Sequence, residues 1–211
     1  MFLEKYTFTC CFTGPAFLPE FKGSTLRGGF GLALKKISCA LKQQRCDSCL
    51  LFATCAYAFV FEMDKSARRP HPYVIIPPDI QQRSFKKNDR FTFEIILFGK
   101  ANNYLPHIVY AVREMGRNGL GKGHEDQGQF AVKTISQGDK IIFAGEQLET
   151  GSPLQHLELS ESSAFLDNRL TISFLTPLRL KYCNELRDSL PFHLLIRAAL
   201  RRISSLEAAY G

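Results

Sequence analysis

The stretch Arg90-Phe91-Thr92-Phe93-Glu94-Ile95-Ile96-Leu97-Phe98 decides the fold. Phe91, Phe93, Ile95 and Leu97 alternate with more polar neighbours, which is the two-residue period of a strand with one buried face. Just beyond it, Asn102 or Asn103 is placed to cap a helix running to about Arg117. There Leu105, Ile108, Val109, Val112 and Met115 fall at helical spacing. Working backwards, Tyr73 to Ile76 reads as a strand ending at Pro77-Pro78. With Tyr57 to Glu62 it forms one irregular strand region, interrupted by residues 65–72. Before that, Ser24 or Thr25 caps a helix to about Leu41, with Leu26, Phe30, Leu34 and Ile37 on one side. Phe2 to Phe12 alternates again, with Tyr6, Phe8, Cys10 and Phe12 on one face. Forward of the decisive strand and its helix, Gln129 to Ile135 is a last strand. The order is βαββαβ. It predicts an α+β, ferredoxin-like (RRM-like) domain over residues 1–140, with helices on one sheet face and the other face free for RNA.

Residues 141–165 read as a connector holding a short strand or two. Residues 166–211 then repeat the opening theme: a strand from Asn168 to Pro177, then a helix from Pro191 to Tyr210 carrying Leu194, Leu195, Ala198, Ile203 and Leu206. This predicts the first strand and helix of a second, incomplete ferredoxin-like unit. Its apolar helix face is expected to pack on the first unit or on another chain, and self-association is one expected outcome.

The 211 residues carry 27 Lys and Arg against 20 Asp and Glu, a formal charge of +7, which suits a polyanionic partner. No apolar stretch approaches the roughly 20 residues that span a bilayer. The first eleven residues lack a basic region and a small-residue cleavage site, so the expected compartment is the cytoplasm. Seven cysteines without a secretion signal read as thiols or metal ligands rather than a disulfide framework.

Four of them, Cys39, Cys46, Cys49 and Cys55, follow the spacing C-x6-C-x2-C-x5-C within a polar stretch. The C-x2-C step is a knuckle whose sulfurs share one tetrahedral ion, and the flanking pair completes four ligands. A closed four-thiolate site is structural, so structural zinc is expected, with an iron–sulfur cluster or unligated thiols as the other readings. A second motif is Phe21-Lys22-Gly23-Ser24-Thr25-Leu26-Arg27-Gly28-Gly29-Phe30-Gly31. A helix start offers free N–H groups to anions, and Lys22, Arg27, Lys35 and Lys36 add charge. Each glycine there costs helix stability of up to about 1 kcal/mol, so a close approach by another backbone or by a phosphate is expected to repay it. A third is the loop Gly116 to Gly128, centred on Gly119-Leu120-Gly121-Lys122-Gly123-His124, with Arg113 and Arg117 beside it. It lacks the order of a nucleotide-binding loop, but a glycine backbone can wrap a phosphate.

Taken in order, Phe21 to Phe30, the cysteine set ending in Cys55-Ala56-Tyr57, the glycine-rich loop and Leu175-Thr176-Pro177-Leu178-Arg179-Leu180 resemble one family. It is the CRISPR-associated RAMP endoribonucleases that process precursor CRISPR RNA for antiviral defence. The resemblance implies two tandem ferredoxin-like domains, of which this chain looks like the first plus the start of the second. It implies metal-independent cleavage, in which a general base deprotonates a 2′-hydroxyl and leaves a 2′,3′-cyclic phosphate end. It also implies CRISPR repeat RNA, and other subunits of a CRISPR complex, as partners. Many members carry a histidine in or near the first helix; here the position after Gly31 is Leu32. The five histidines are His71, His107, His124, His156 and His193, and none is assigned as the catalytic base. The RNA-binding candidates are Lys22, Arg27, Lys35, Lys36, Arg117, Lys122 and His124. Beside the nuclease stand two other readings, a non-catalytic RNA-binding subunit and a zinc-stabilised protein-interaction module.

Overall fold

A computed structural model of the chain describes residues 1–62, 69–121, 127–149, 151–156, 171–175, 177–182, 185–186 and 189–211. Its centre is the strand β1 (Phe2–Phe12), a run whose even-numbered residues from Tyr6 to Phe12 are all buried. Phe8 and Phe12 have no exposed surface, and burying a ring of that size is worth about 1.5–3 kcal/mol. A short strand β2 (Ala16–Phe17) precedes the helix α1 (Gly23–Ser38). After the cysteine segment come β3 (Tyr73–Ile76), the short β4 (Ser84–Phe85) paired with β2, and β5 (Arg90–Phe98). A 3-10 turn (Gly99–Tyr104) leads into α2 (Leu105–Asn118), and β6 (Phe130–Gln137) follows.

The four long strands lie in the order β3-β5-β1-β6, and every neighbouring pair is antiparallel. Phe8 stands opposite Phe93 in β5 and Ile135 in β6, so the apolar sides of three strands share one face. The sheet continues through β7 (Lys140–Ala144) and β8 (Gln147–Leu148), while β9 (Gln155–His156) pairs with the start of β1. The short strands expected within the connector are present and extend the sheet. The core is aromatic: Phe12 packs on Phe85 and Phe91 with ring centres 4.8 and 4.7 Å apart, and Phe8 stacks on Phe93 at 5.2 Å.

Both helices cover the same face, and the glycines of α1 set how closely their neighbours approach. Gly29 faces Met115 and Leu120, while Gly31 faces the ring of Phe61, which occupies the space a side chain would need. Side chains, rather than a backbone or a phosphate, fill these notches. Phe61 belongs to a single π-helical turn, Ala58–Glu62, where the sequence pattern suggested strand. Tyr57 and Phe61, four residues apart, stack at 5.7 Å, a pairing that helical geometry permits and a strand does not. The helix starts also differ from expectation. Lys22 is the cap residue of α1, and Asn102 is buried, its amide donating to the carbonyl of Gly99.

Between Lys181–Tyr182 (β10) and Glu185–Leu186 (β11) runs a short antiparallel pair, followed by α3 (Phe192–Tyr210). Of the strand expected over 168–177, residues 168–170 and 176 lie outside the described set, and 171–175 carry no strand. The far end of α3 docks on the first unit: Leu206 packs with Met1 and Phe98, and the Tyr210 hydroxyl donates to the Pro70 carbonyl. Gly99, at φ +49°, makes room for it, because a side chain there would strike the Tyr210 carbonyl. Among the described residues no helix is long and apolar enough to cross a membrane.

The two glycines Gly28 and Gly31 predict opposite outcomes. Gly28→Ala, with open space around it, raises stability by up to about 1 kcal/mol through helix propensity. Gly31→Ala displaces Phe61 and costs about 1–3 kcal/mol. Urea midpoints of the two variants check this, and equal effects would contradict the packing account.

Candidate nucleic-acid interface

Arg27 stands on the flank of α1 that faces β3. One terminal nitrogen donates to the Tyr73 hydroxyl and the other to Nε2 of His71, both at 2.9 Å. Its guanidinium also lies over the rings of Phe61 and Tyr73, 5.2 and 5.4 Å from their centres. A guanidinium only donates, so Nε2 of His71 accepts and the ring proton resides on Nδ1. Nδ1 is buried beside the Val60 carbonyl without a well-formed hydrogen bond. Burial, and then the charges of Arg27 and Arg202, push the His71 pKa down, so the neutral ring is favoured. Burial drives the Tyr73 phenol the other way, up to about 12.

Two further cations extend this corner. Lys35 lies over Tyr57, 5.4 Å from the ring centre, and Tyr57 stacks on Phe61. A band therefore runs along one flank of α1: Lys35, Tyr57, Phe61, Arg27. The rings are wholly or half buried while both cations are exposed, so the rings act as a floor that holds the charges in place. Arg202 of α3 comes within electrostatic reach of Arg27 and His71, and partial burial and the charge of Arg27 push its pKa down. Among the described residues, no carboxylate forms an ion pair with Arg27, Lys35 or Arg202. Arg27 and Arg202 beside His71, with Lys35 farther along the same flank and no carboxylate ion pair among the described residues, concentrate positive charge that suits an anion.

The other sequence candidates fall elsewhere. Lys22 is buried, and its ammonium donates to the Ile80 carbonyl at 2.8 Å and the Glu20 carbonyl at 3.2 Å, so it closes a loop from within. Lys36 faces α2, where Glu114 takes both its ammonium and, at 3.3 Å, the guanidinium of Arg117. Lys36 holds the Glu114 carboxyl below its usual range. Arg27 and Lys36 thus occupy opposite flanks of α1. Lys122 and His124 lie outside the described residues. The base of their loop is pinned, with Leu120 and Gly128 hydrogen-bonded across it and Gly128 donating to the Pro15 carbonyl.

The sheet face opposite the helices also differs from expectation. The last turns of α3 cover its Leu3, Ile96 and Phe98 end. Its centre presents Thr7, Thr9, Thr92, Thr134 and Ser136, with Lys5 paired to Glu94 at 2.9 Å. These short hydroxyl side chains give bases no ring to stack on.

Of the cysteines, Cys39, Cys49 and Cys55 line one cavity of about 310 Å³, and Cys46 lies within electrostatic reach of Cys39 and Cys55. As they stand, no three His, Cys, Asp or Glu side chains among the described residues are gathered closely enough to hold an ion. Sequence reasoning left His71 unassigned and missed Tyr73, Phe61 and Arg202. The four-residue spacing of Tyr57 and Phe61, and of Arg202 and Leu206, was the available signal.

A family model described as AF_1859_N, an N-terminal domain, matches residues 1–156. The chain belongs to that family. An uncharacterized protein of Archaeoglobus fulgidus is 30% identical over 201 residues, which cover 92% of this chain and 65% of that relative. The AF_1859_N member described here therefore spans just under two thirds of that relative's length. Among solved structures, a chain from the Csm3-Csm4 subcomplex of the type III-A CRISPR-Cas interference complex is similar at a TM-score of 0.42 and 14% identity. That match covers 64% of this chain and 77% of the other.

The neutral His71 gives a pH dependence. The unfolded chain takes up a proton near the ordinary imidazole value of about 6.5, and the folded chain does so only at lower pH. Stability conferred by the neutral ring is full above about 6.5 and is lost as pH falls below it. Urea unfolding at intervals from pH 7.5 to 5.5 will show that loss, and His71→Gln, which still offers Arg27 an acceptor, will flatten it. An unchanged slope in the variant would contradict the assignment.

Proposed function

We propose that this chain is an RNA-binding component of CRISPR RNA processing, and that it grips the RNA backbone along the flank of α1 carrying Arg27 and Lys35. One observation carries the reading: Arg27 and Lys35 are exposed over a layer of rings, Arg202 comes within electrostatic reach of Arg27, and none of the three forms an ion pair with a carboxylate among the described residues. Unpaired cations held close together repel one another, a cost that a polyanion removes when it binds. The β3-β5-β1-β6 order supports reading the first unit as ferredoxin-like. The dispersed motifs Phe21 to Phe30, Cys39 to Tyr57, the glycine loop and Leu175 to Leu180 support the CRISPR context and CRISPR repeat RNA as ligand. On this reading the protein works in the cytoplasm with other subunits of the complex.

Catalysis is a separate question from binding. Leu32, where the resembling family often has histidine, is three-quarters exposed on α1 and offers no proton-transfer group. This favours the non-catalytic subunit as the second reading. His71 would have to release Arg27 before its Nε2 could take a proton from a 2′-hydroxyl, since that nitrogen already accepts from the guanidinium and Nδ1 is buried.

Labelled repeat RNA tests both points. Arg27→Ala and Arg202→Ala are each expected to weaken binding several-fold and to lower the slope of log affinity against log salt by about 0.7–0.9. Arg117→Ala, whose charge is shared with Glu114, is expected to change affinity less. Equal losses in all three variants, or no binding at low salt, would defeat the proposed surface. Products ending in cyclic phosphate, formed in chelator and lost in His71→Gln, would make the chain a nuclease; intact bound RNA would make it a binding subunit.

A further inference from the structure

We infer that Cys39, Cys46, Cys49 and Cys55 hold one zinc ion, and that this ion anchors the segment which carries Tyr57 and Phe61 onto α1. From Cys39 to Cys55 no residue is buried, and the only regular structure is two single 3-10 turns, Cys46–Ser48 and Phe52–Thr54. Seventeen residues with no core of their own need another tie, and a structural metal is the usual one at this size.

Two backbone turns place cysteines at their ends. Each 3-10 turn ends on a cysteine: the Cys49 N–H donates to the Cys46 carbonyl at 3.3 Å, and the Cys55 N–H to the Phe52 carbonyl at 3.4 Å. The first of these turns is the C-x2-C step, a spacing by which two thiolates commonly ligate one zinc ion. All four thiols are half buried, so they are shielded from bulk water yet open to a metal. Three of them line one cavity, and Cys46 packs against the core at its edge. The sulfurs are not gathered as the side chains stand, so binding requires the ion to draw together a stretch that no buried residue fixes. The donor set is all sulfur, which selects zinc over magnesium or calcium.

The consequence reaches the anion site through the chain itself. Cys55 is followed directly by Ala56 and Tyr57, and the Cys55 carbonyl accepts from the Phe59 N–H at the start of the π-turn. An ion fixing Cys55 thereby fixes the entry to the turn whose Phe61 seats against Gly31 under Arg27. The metal count itself is independent of whether the chain binds RNA.

The full chain purified without chelator is expected to contain about one equivalent of zinc by elemental analysis. Cobalt substituted for it should give the thiolate charge-transfer and visible bands of a tetrahedral sulfur site. A strong chelator should lower the thermal midpoint by about 5 °C or more, and added zinc should restore it. The double variant C46S/C49S should lose the metal, whereas Cys183→Ser should keep it. No zinc after purification and none taken up from solution would overturn the proposal. So would metal retained undiminished in C46S/C49S, or iron with cluster absorption in place of zinc.

Discussion

Phe61 resting in the notch that Gly31 leaves in α1 is the contact on which the rest depends. It brings a π-turn, donated by the segment after the cysteines, flat against a helix that would otherwise face water. Once seated, Phe61 lies between Tyr57 and Tyr73, at 5.7 and 6.3 Å, and beneath the Arg27 guanidinium. The ring layer does two jobs through one arrangement. It closes the apolar core on the β3 side, and it presents a cation at each end. A larger residue at 31 would separate these jobs by lifting the layer from the helix.

The charges that sit on this layer are placed at some cost. Arg27 and Arg202 are close enough to depress the affinity of the second for its proton, and His71 is kept neutral between them. In proteins such groups ordinarily acquire carboxylate partners, as Lys36 and Arg117 do with Glu114. The contrast between the two flanks of one helix is therefore informative. On the α2 flank the charges are balanced and serve packing between helices. On the β3 flank they are concentrated and, among the described residues, without a carboxylate ion-pair partner. Positive potential left over on a rigid, ring-backed surface is the property a phosphate backbone recognises.

Much of this architecture could be read from the chain alone. The strands Phe2–Phe12 and Arg90–Phe98 announce themselves because one face of each is buried, and burial enforces a two-residue period. The helices were legible for the matching reason, and a neighbour does approach closely at Gly29 and Gly31, though not at Gly28. What approached was not legible. Phe59 and Phe61 alternate with smaller residues as a strand would, and only the Tyr57–Phe61 stack reveals the turn. Lys22 looked like an anion ligand beside a helix start, yet the carbonyl that buries it comes from Ile80, 58 residues away. His71 meets Arg27 across 44 residues, and Arg202 arrives from the last helix. Side-chain chemistry marks candidates, but long-range topology decides which of them meet.

Under the proposed RNA-binding role, nucleic acid lies on the ring-backed flank of α1 rather than on the open face of the sheet. Photo-crosslinking of 4-thiouridine-substituted repeat RNA, with the attached peptides mapped by mass spectrometry, separates these directly. The expected adducts lie in the α1 stretch from Arg27 to Lys35, around His71, and in α3 near Arg202. Adducts concentrated instead on Lys5 to Thr9, Thr92 to Glu94 and Lys133 to Ser136 would put the RNA on the opposite face and contradict the account.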